Sequence, residues 1–260
     1  VLTSSGKIAR IRSLEEYPLS QDPNKDRTIE LVEIFRAIRE KHSESDSVTV
    51  TATQQDRVAL RRKTFPFRER HKILKSLPFE LEDDIPFSAE NSVFDFKTTH
   101  FVGNTAHVIA CACPKEYLRQ FLTRLEESQL YPDVVSVEGI ALANAFEEDR
   151  ESPTEYSAKE QALPESAPAE VVFHIGHHST LVLVLKDGYL LDIRQVDWGG
   201  RDIAETIASK YSMAYTEALK ELKRKAFILT NNEGATREQI ALSEVIKSSV
   251  DKLAHHLQLI

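Results

Sequence analysis

The segment from Glu147 to Pro168 constrains this chain more than any other stretch of its sequence. It is rich in acidic residues, serine and proline, and it holds few apolar side chains, so it cannot bury a core of its own. The regions on both sides of it show regular hydrophobic periodicity instead. We therefore predict a solvated linker over 149–168 that joins two parts of one α/β chain.

Helical and strand-like patterns alternate on both sides of this linker, which is typical of an α/β fold with sheets of mixed direction. Apolar residues recur at helical spacing in 28–41, 68–84, 114–129, 139–146, 201–211, 216–227 and 240–259. The runs that favour strands are 7–18, 47–52, 58–67, 92–99, 105–113, 134–137, 171–175, 179–185 and 189–198. Pro78 lies inside the second helix and predicts a kink or a break near Ser76–Leu77.

The composition excludes several classes of function. The 260 residues include 33 Lys+Arg against 41 Asp+Glu, and the resulting net charge of −8 offers no general attraction to nucleic acid. The 8 glycines form neither a GxGxxG nor a GxxxxGK[ST] pattern, which excludes the usual dinucleotide and Walker-type phosphate sites. Neither Gly-x-Ser-x-Gly nor His-Glu-x-x-His occurs. No run approaches the ~18 apolar residues that a membrane span requires.

The two cysteines, Cys111 and Cys113, lie in one predicted strand with a single residue between them. A strand directs both thiols to the same face at roughly 6.5–7 Å, which is long for a disulfide. With His107 as the nearest other ligand, they cannot complete the four ligands of a structural zinc site. We predict two reduced, packed side chains.

The turn around Gly176 is the strongest candidate for a ligand site. A glycine in a hairpin turn lets backbone amides approach an anion, and Ser179 or Thr180 could add a hydroxyl to a phosphate oxygen. Position 174 is histidine, however, where a carboxylate would be needed to hold magnesium or to orient water. Two other interpretations remain open. One is a plain hairpin turn, and the other is a metal site formed by His174, His177 and His178, which no nearby Asp, Glu or Cys completes.

A second pair of glycines, Gly199 and Gly200, joins a predicted strand to a predicted helix directly after Trp198. Two glycines at this place permit either a tight turn or the close approach of a ligand.

Residues 57–72 are strongly basic and carry the interleaved aromatic residues Phe65 and Phe67, a pattern found in single-stranded nucleic-acid sites. Acidic residues follow directly in the sequence. The basic and acidic side chains therefore more naturally pair with one another or face a protein partner. We therefore predict no nucleic-acid partner. The candidate partner surface consists of Arg68, Arg70, Lys72, Glu80, Glu82, Asp83 and Asp84.

Several stretches taken together resemble the actin-like PilM/GspL family of bacterial pilus and secretion machines. The stretches that carry the resemblance are 60–67, 72–82, 85–87, 93–96, 135–145, His174-Ile-Gly176 with Ser179-Thr180, 199–204 and 216–223. The resemblance implies an actin-like (ribonuclease H-like) α/β fold with mixed sheets and a small inserted α+β subdomain. The implied domains are 1–47 (first actin-like half, without its first strand), 48–133 (inserted subdomain), 134–148 (return to the first half), 149–168 (linker) and 169–260 (truncated second half).

Departures from the family pattern indicate that the nucleotide site is lost. The family's first phosphate loop and its adenosine loop have no counterpart in this sequence, and His174 replaces the carboxylate of the second phosphate loop. We expect no catalytic residue, no metal and no bound cofactor. Any remnant would be a degenerate phosphate loop formed by His174, Gly176, Ser179, Thr180, Gly199 and Gly200.

This loss favours the GspL-like branch, whose members are adaptors rather than enzymes. The resemblance then implies a place at the cytoplasmic face of the bacterial inner membrane, with an anchoring helix outside this chain. It also implies binding to the N-terminal domain of a secretion ATPase and to platform proteins similar to GspM and GspF, and it allows a homodimer. The alternative is the PilM-like branch of the type IV pilus alignment complex, which binds ATP and a short peptide of its membrane partner.

Overall fold

The computed structural model describes residues 2–5, 8–20, 22, 24–42, 47–146 and 168–258. The chain forms two compact units. Unit 1 is Val1–Ala59, Leu77–Asp95 and Cys111–Glu138, and unit 2 is Leu60–Ser76, Phe96–Ala110 and Gly139–Ile260. The predicted linker lies outside the described residues except for Pro168, and the predicted domain boundaries remain a prediction.

The elements are named here in chain order. The strands are β1 (Leu2–Ser5), β2 (Ile8–Ile11), β3 (Val50–Thr53), β4 (Ala59–Phe65), β5 (Ser92–Val102), β6 (Thr105–Pro114), β7 (Val134–Val137), β8 (Ala169–Ile175), β9 (Thr180–Lys186) and β10 (Tyr189–Val196). The helices are α1 (Arg27–His42), α2 (Arg70–Leu81), α3 (Lys115–Glu127), α4 (Glu138–Asn144), α5 (Gly200–Tyr211), α6 (Tyr215–Lys225) and α7 (Arg237–Gln258).

The sheets have both parallel and antiparallel pairs, as predicted. In unit 1, β3 pairs in parallel with β7, with Val50 opposite Val134. The Asp133 carboxylate accepts a hydrogen bond of 2.8 Å from the Thr49 N–H just before this pair begins. In the same unit β1 and β2 form an antiparallel hairpin. A third sheet has the order β4-β6-β5.

In unit 2, β8, β9 and β10 form an antiparallel sheet with β9 in the centre. Ile175 lies opposite Thr180 at one end of the sheet, and Tyr189 lies opposite Lys186 at the other. Asp187 and Gly188 both have positive φ, 51° and 75°, which is the conformation of the two-residue turn that matches the strand twist. The Gly176 turn and the Asp187 turn therefore lie at opposite ends of strand β9.

Two apolar clusters fix the helices of unit 2 around this sheet. Ile207 on α5 packs with Ala218 on α6 and with Val245 and Ile246 on α7. At the carboxyl end of β10, Trp198 packs with neighbouring apolar side chains; the buried members of that cluster are Val182, Val196, Trp198 and Leu253. Each fully buried aliphatic side chain contributes about 1.5–3 kcal/mol. The clusters therefore hold the N-terminus of α5 firmly beside the sheet.

Among the described residues, β8 is hydrogen-bonded on one side only, to β9. Val171, Phe173 and Ile175 alternate along it and are 51%, 49% and 56% exposed. The apolar run 171–175 thus forms a strand, as predicted, but one face of that strand is not buried by the described part of the chain.

The predicted helices and strands are confirmed with small shifts at their ends, apart from two predictions. The strand predicted over 7–18 is wrong beyond Ile11, where β2 ends. The break near Ser76–Leu77, one of the two outcomes predicted for Pro78, does not occur, because α2 continues from Arg70 to Leu81. Ile73, Leu77 and Leu81 are fully buried along one face of α2. Their burial, about 1.5–3 kcal/mol each, outweighs the ~3 kcal/mol that an internal proline costs.

Candidate functional site

The predicted phosphate-loop residues meet where β8 turns into β9. The turn is closed by its own backbone, since the Gly176 N–H donates to the Ser179 carbonyl at 2.9 Å. His174 lies on β8 opposite Leu181, and its side chain is exposed. The structure therefore brings His174, Gly176 and Ser179 together at one turn. The Gly176 N–H, however, already donates a hydrogen bond within that turn and is not available to a ligand.

Gly199 lies in close backbone contact with this turn. A Cβ atom at position 199 would be 2.6 Å from the carbonyl oxygens of both Gly176 and His177. The Gly199 N–H in turn donates to the Asp202 carboxylate at 2.9 Å, which caps the start of α5. The sequence predicts a tight turn or the close approach of a ligand at this glycine, and the geometry displays the close approach of another backbone segment.

The first amides of α5 are occupied by the same turn. The Gly200 N–H donates to the Gly176 carbonyl at 2.9 Å, and the Arg201 N–H donates to the His177 carbonyl at 2.8 Å. A helix N-terminus binds phosphate through amides that have no partner inside the helix. Here the chain itself supplies those partners, so an anion would have to displace them.

Thr180 is turned away from the surface of the site. Its side chain is 0% exposed, and its hydroxyl donates to the Trp198 carbonyl at 2.9 Å. Trp198 is itself buried at 2% exposure. The Thr180 hydroxyl thus ties β9 to the segment that leads into α5, and its proton is unavailable to a ligand.

The two histidines of the turn have protein partners. The Tyr215 hydroxyl lies 3.0 Å from His177 Nε2, and Arg201 Nη1 lies 3.3 Å from His178 Nδ1. Burial lowers the pKa of His177, and the neighbouring His178 lowers it further. Within the described ranges, no three His, Cys, Asp or Glu side chains are grouped as metal ligands.

Cys111 and Cys113 are both free thiols, as predicted. Burial raises the pKa of Cys111 to about 12, and it also raises the pKa of Cys113. Neither group is therefore a nucleophile at neutral pH.

The basic side chains of the predicted partner surface contact other residues of unit 2. Arg68 stacks on the Phe101 ring at 4.9 Å and donates to the Gly103 carbonyl, with a distance of 2.8 Å from its Nε. Arg70 stacks on the Phe96 ring at 4.8 Å. Lys72, two residues after Arg70, is exposed and pairs with Glu69. These contacts make the basic side chains part of the packing of unit 2.

The acidic part of that surface lies in unit 1, and Glu80, Glu82, Asp83 and Asp84 are all exposed. Directly before Glu80 on α2 is Phe79, which is 80% exposed. Sequence reasoning missed Phe79. An unpaired apolar residue on the polar side of the helical pattern, next to Glu80, was the signal that could have identified it.

The arrangement of helices and mixed sheets is that of an actin-like protein. The structure matches the PilM–PilN type IV pilus biogenesis complex with a TM-score of 0.73 and 20% identity, over 98% of this chain and 70% of that one. The chain belongs to the type IV pilus assembly protein PilM family, whose model matches residues 2–233. The resemblance and the fold class predicted from the sequence are thereby confirmed.

Other solved structures are similar at lower scores. The cytoplasmic domain of EpsL, an inner-membrane component of the type II secretion system of Vibrio cholerae, is 18% identical over 70% of this chain and 63% of that one, with a TM-score of 0.41. A Bacteroides thetaiotaomicron protein with an actin-like ATPase fold is 11% identical over 93% of this chain and 79% of that one, with a TM-score of 0.41. No curated protein sequence matches the chain significantly.

None of the helices in the described ranges has the length and apolar character that a membrane span requires.

Proposed function

We propose that this chain is a non-enzymatic adaptor of a bacterial pilus or secretion platform, which binds other proteins and no nucleotide. The observation that carries the proposal is the occupied N-terminus of α5, where Gly200 and Arg201 donate to the carbonyls of the Gly176 turn. A phosphate would have to displace these two hydrogen bonds, worth about 0.5–1.5 kcal/mol each. With histidine at position 174 there is also no carboxylate to hold magnesium.

The first partner that we infer is a membrane protein. The similar structure is that of a PilM–PilN complex, so a PilN-like protein with a short cytoplasmic segment is the natural candidate. The description of the family model favours this pilus interpretation. The place of action would be the cytoplasmic face of the inner membrane.

The second candidate is the type II secretion adaptor. It is favoured by His174 and by the occupied α5 amides, because the GspL-like branch keeps the fold without the nucleotide. In that case the partners are the N-terminal domain of the secretion ATPase and platform proteins similar to GspM and GspF. A homodimer is compatible with either candidate.

For the docking surface we propose the C-terminal end of α2 and the residues directly after it. Phe79 is 80% exposed, and the exposed residues Glu80, Glu82 and Asp83 follow it directly in the sequence. An exposed aromatic ring among acids suits a partner segment that places an apolar side chain between basic ones. The Phe79 surface, as we call these four residues, combines Phe79 with three of the four acidic residues of the predicted partner surface.

The absence of nucleotide binding is tested by calorimetry. Mg²⁺-ATP titrated into the chain should give no saturable heat, and neither should ATP without the metal. Saturable binding that is lost in Gly176→Val would overturn the nucleotide-free adaptor and favour the ATP-binding PilM-like branch.

The adaptor role is tested by co-elution in size-exclusion chromatography. The chain is mixed separately with the N-terminal domain of the secretion ATPase and with the cytoplasmic segment of a PilN-like protein. Binding of the ATPase domain supports the secretion candidate, and binding of the PilN-like segment supports the pilus candidate. If neither partner co-elutes at tens of micromolar, the adaptor proposal fails.

The docking surface is tested with the partner that binds. Phe79→Ala should weaken binding by about tenfold or more, since exposed aromatic anchors dominate such interfaces. Tyr131→Ala is the matched control, because Tyr131 is another exposed aromatic residue of unit 1, at 66% exposure. Equal affinities of the two variants would show that the partner docks elsewhere.

A further inference from the structure

The C-terminal end of helix α6 carries a concentration of positive charge. It consists of Lys220, Lys223, Arg224 and Lys225, which we call the α6 basic cluster, and all four residues are exposed. Glu221 is the one carboxylic acid in the sequence between positions 220 and 228. Four basic residues against one acidic residue give this segment a net charge of +3, in a chain whose net charge is −8.

Glu221 neutralises part of this charge. Its carboxylate pairs with Arg224 at 2.6 Å and with Lys225 at 3.3 Å. In the part of the chain that the structure describes, Lys220 and Lys223 have no ion-pair partner. Basic residues in the last turn of a helix stabilise the helix dipole, but Lys220 lies before that turn. The dipole therefore does not account for the whole cluster, and two ammonium groups can bind an anion outside the chain.

An apolar side chain is held directly beside the cluster. The Ala226 N–H donates to the last turn of α6 at 3.0 Å, and the Leu229 N–H donates to the hydroxyl of the buried Ser243 on α7 at 2.8 Å. Between these two fixed points, Ile228 is 47% exposed, whereas the residues on either side of it are only partly exposed. The backbone hydrogen bonds therefore keep Ile228 at the surface, three residues after Lys225.

Basic side chains next to an exposed aliphatic one are typical of surfaces that bind a lipid bilayer. Each Lys or Arg near an anionic bilayer strengthens binding by about fivefold, and an apolar side chain enters the boundary between headgroups and acyl chains. At physiological salt, charges act over about 8 Å. The local charge of +3 at the end of α6 therefore decides the interaction there, although the whole chain is acidic.

We propose that the α6 basic cluster and Ile228 bind the surface of a bilayer that contains anionic phospholipid. Lys220 and Lys223 contact the lipid phosphates, and Ile228 enters the headgroup region. Three net charges and one aliphatic side chain give weak, reversible binding, which orients unit 2 on a membrane where a protein partner already holds the chain. The inference rests on the proposed place of action at the inner membrane, but it is independent of the Phe79 surface.

Co-sedimentation with vesicles tests the proposal. The chain is titrated to millimolar lipid with vesicles of phosphatidylcholine alone or of phosphatidylcholine mixed with phosphatidylglycerol. Binding is expected only with phosphatidylglycerol, and it should be lost when the salt is raised from about 0.1 M to about 1 M, because the screening length falls from about 10 Å to about 3 Å. Equal binding to both kinds of vesicle, or binding to neither, would overturn the proposal. The assay contains no pilus or secretion protein, so its failure is distinct from a failure of the adaptor role.

A pair of lysine variants locates the binding. Lys220→Ala/Lys223→Ala should weaken it by about tenfold or more, because two contributions of about fivefold are lost. Lys247→Ala/Lys252→Ala is the matched control, since it removes two exposed lysines of α7 and changes the net charge equally. Equal binding by the two double variants would overturn the site. If the first double variant instead loses co-elution with a protein partner while no form of the chain binds vesicles, the cluster docks a protein and the lipid proposal is wrong.

A second pair of variants tests the apolar contact. Ile228→Ser should weaken vesicle binding by about threefold or more, because less apolar area enters the bilayer. Ile29→Ser is the matched control, since Ile29 on α1 is 58% exposed and lies outside the proposed surface. Equal binding by these two variants would overturn the role of Ile228.

Discussion

Gly199 lies so close to Gly176 that a Cβ atom at position 199 would be 2.6 Å from the Gly176 carbonyl oxygen. That carbonyl also accepts the Gly200 N–H. The two glycines therefore serve contact between two backbone segments, the Gly176 turn and the start of α5.

Gly199→Ala should lower the free energy of unfolding by about 1–3 kcal/mol, because the new methyl group meets rigid backbone that has to move. Urea unfolding followed by circular dichroism measures the change. Gly200→Ala is the matched control, since a Cβ there finds its nearest neighbours at 3.8–4.0 Å. If both variants unfold at the same urea concentration, the close packing of the turn against α5 is wrong.

Thr180→Val should lower the free energy of unfolding by about 1–3 kcal/mol, because the buried Trp198 carbonyl loses its donor. Valine keeps the shape of the side chain, so packing is nearly unchanged. Thr216→Val, at an exposed position of α6, should stay within about 0.5 kcal/mol of the original chain. If the Thr180→Val variant were as stable as the original chain, the structural role of this hydroxyl would be contradicted. The hydroxyl would then again be a candidate for ligand binding.

Cys111 and Cys113 should resist alkylation in the folded chain at pH 8 and react fully after unfolding in urea. Burial raises the pKa of Cys111 to about 12, so almost no thiolate is present at that pH. Mass spectrometry after iodoacetamide treatment counts the modified thiols. Rapid modification of the folded chain would show that the strand carrying both residues is open to solvent.

The stability of the chain should fall as the pH drops from about 6.5 to about 4, in part because of His100. Burial lowers the pKa of this residue from 6.5 to about 4, so between these values the unfolded chain binds a proton that the folded chain does not. The unfolded state then binds more protons, and stability rises with pH. Urea midpoints measured across this range should depend less on pH in His100→Gln than in the original chain. If the urea midpoints of the two proteins depended equally on pH, the lowered pKa of His100 would be contradicted.

Hydrophobic spacing was sufficient to predict most elements, because each pattern reports which side chains face a core. Helix α5 and strand β9 are examples in which periodicity, a flanking turn and apolar residues agree. Pro78 shows where local rules fail, because the burial of Ile73, Leu77 and Leu81 outweighs the cost of the proline. The full burial of those three side chains depends on parts of the chain distant in sequence, which no local pattern contains.

For the candidate site, the sequence by itself determined which residue types are present: histidine stands at position 174, and the turn residues 175–179 include no carboxylate. It also determined the family, through motifs spread over most of the chain. Only the tertiary structure decided that the α5 amides are occupied, that the Thr180 hydroxyl is buried, and that Ile228 is exposed beside the α6 basic cluster. The physical reason is that residue types fix which bonds a group can form, whereas partners and solvent exposure depend on segments that meet only after folding.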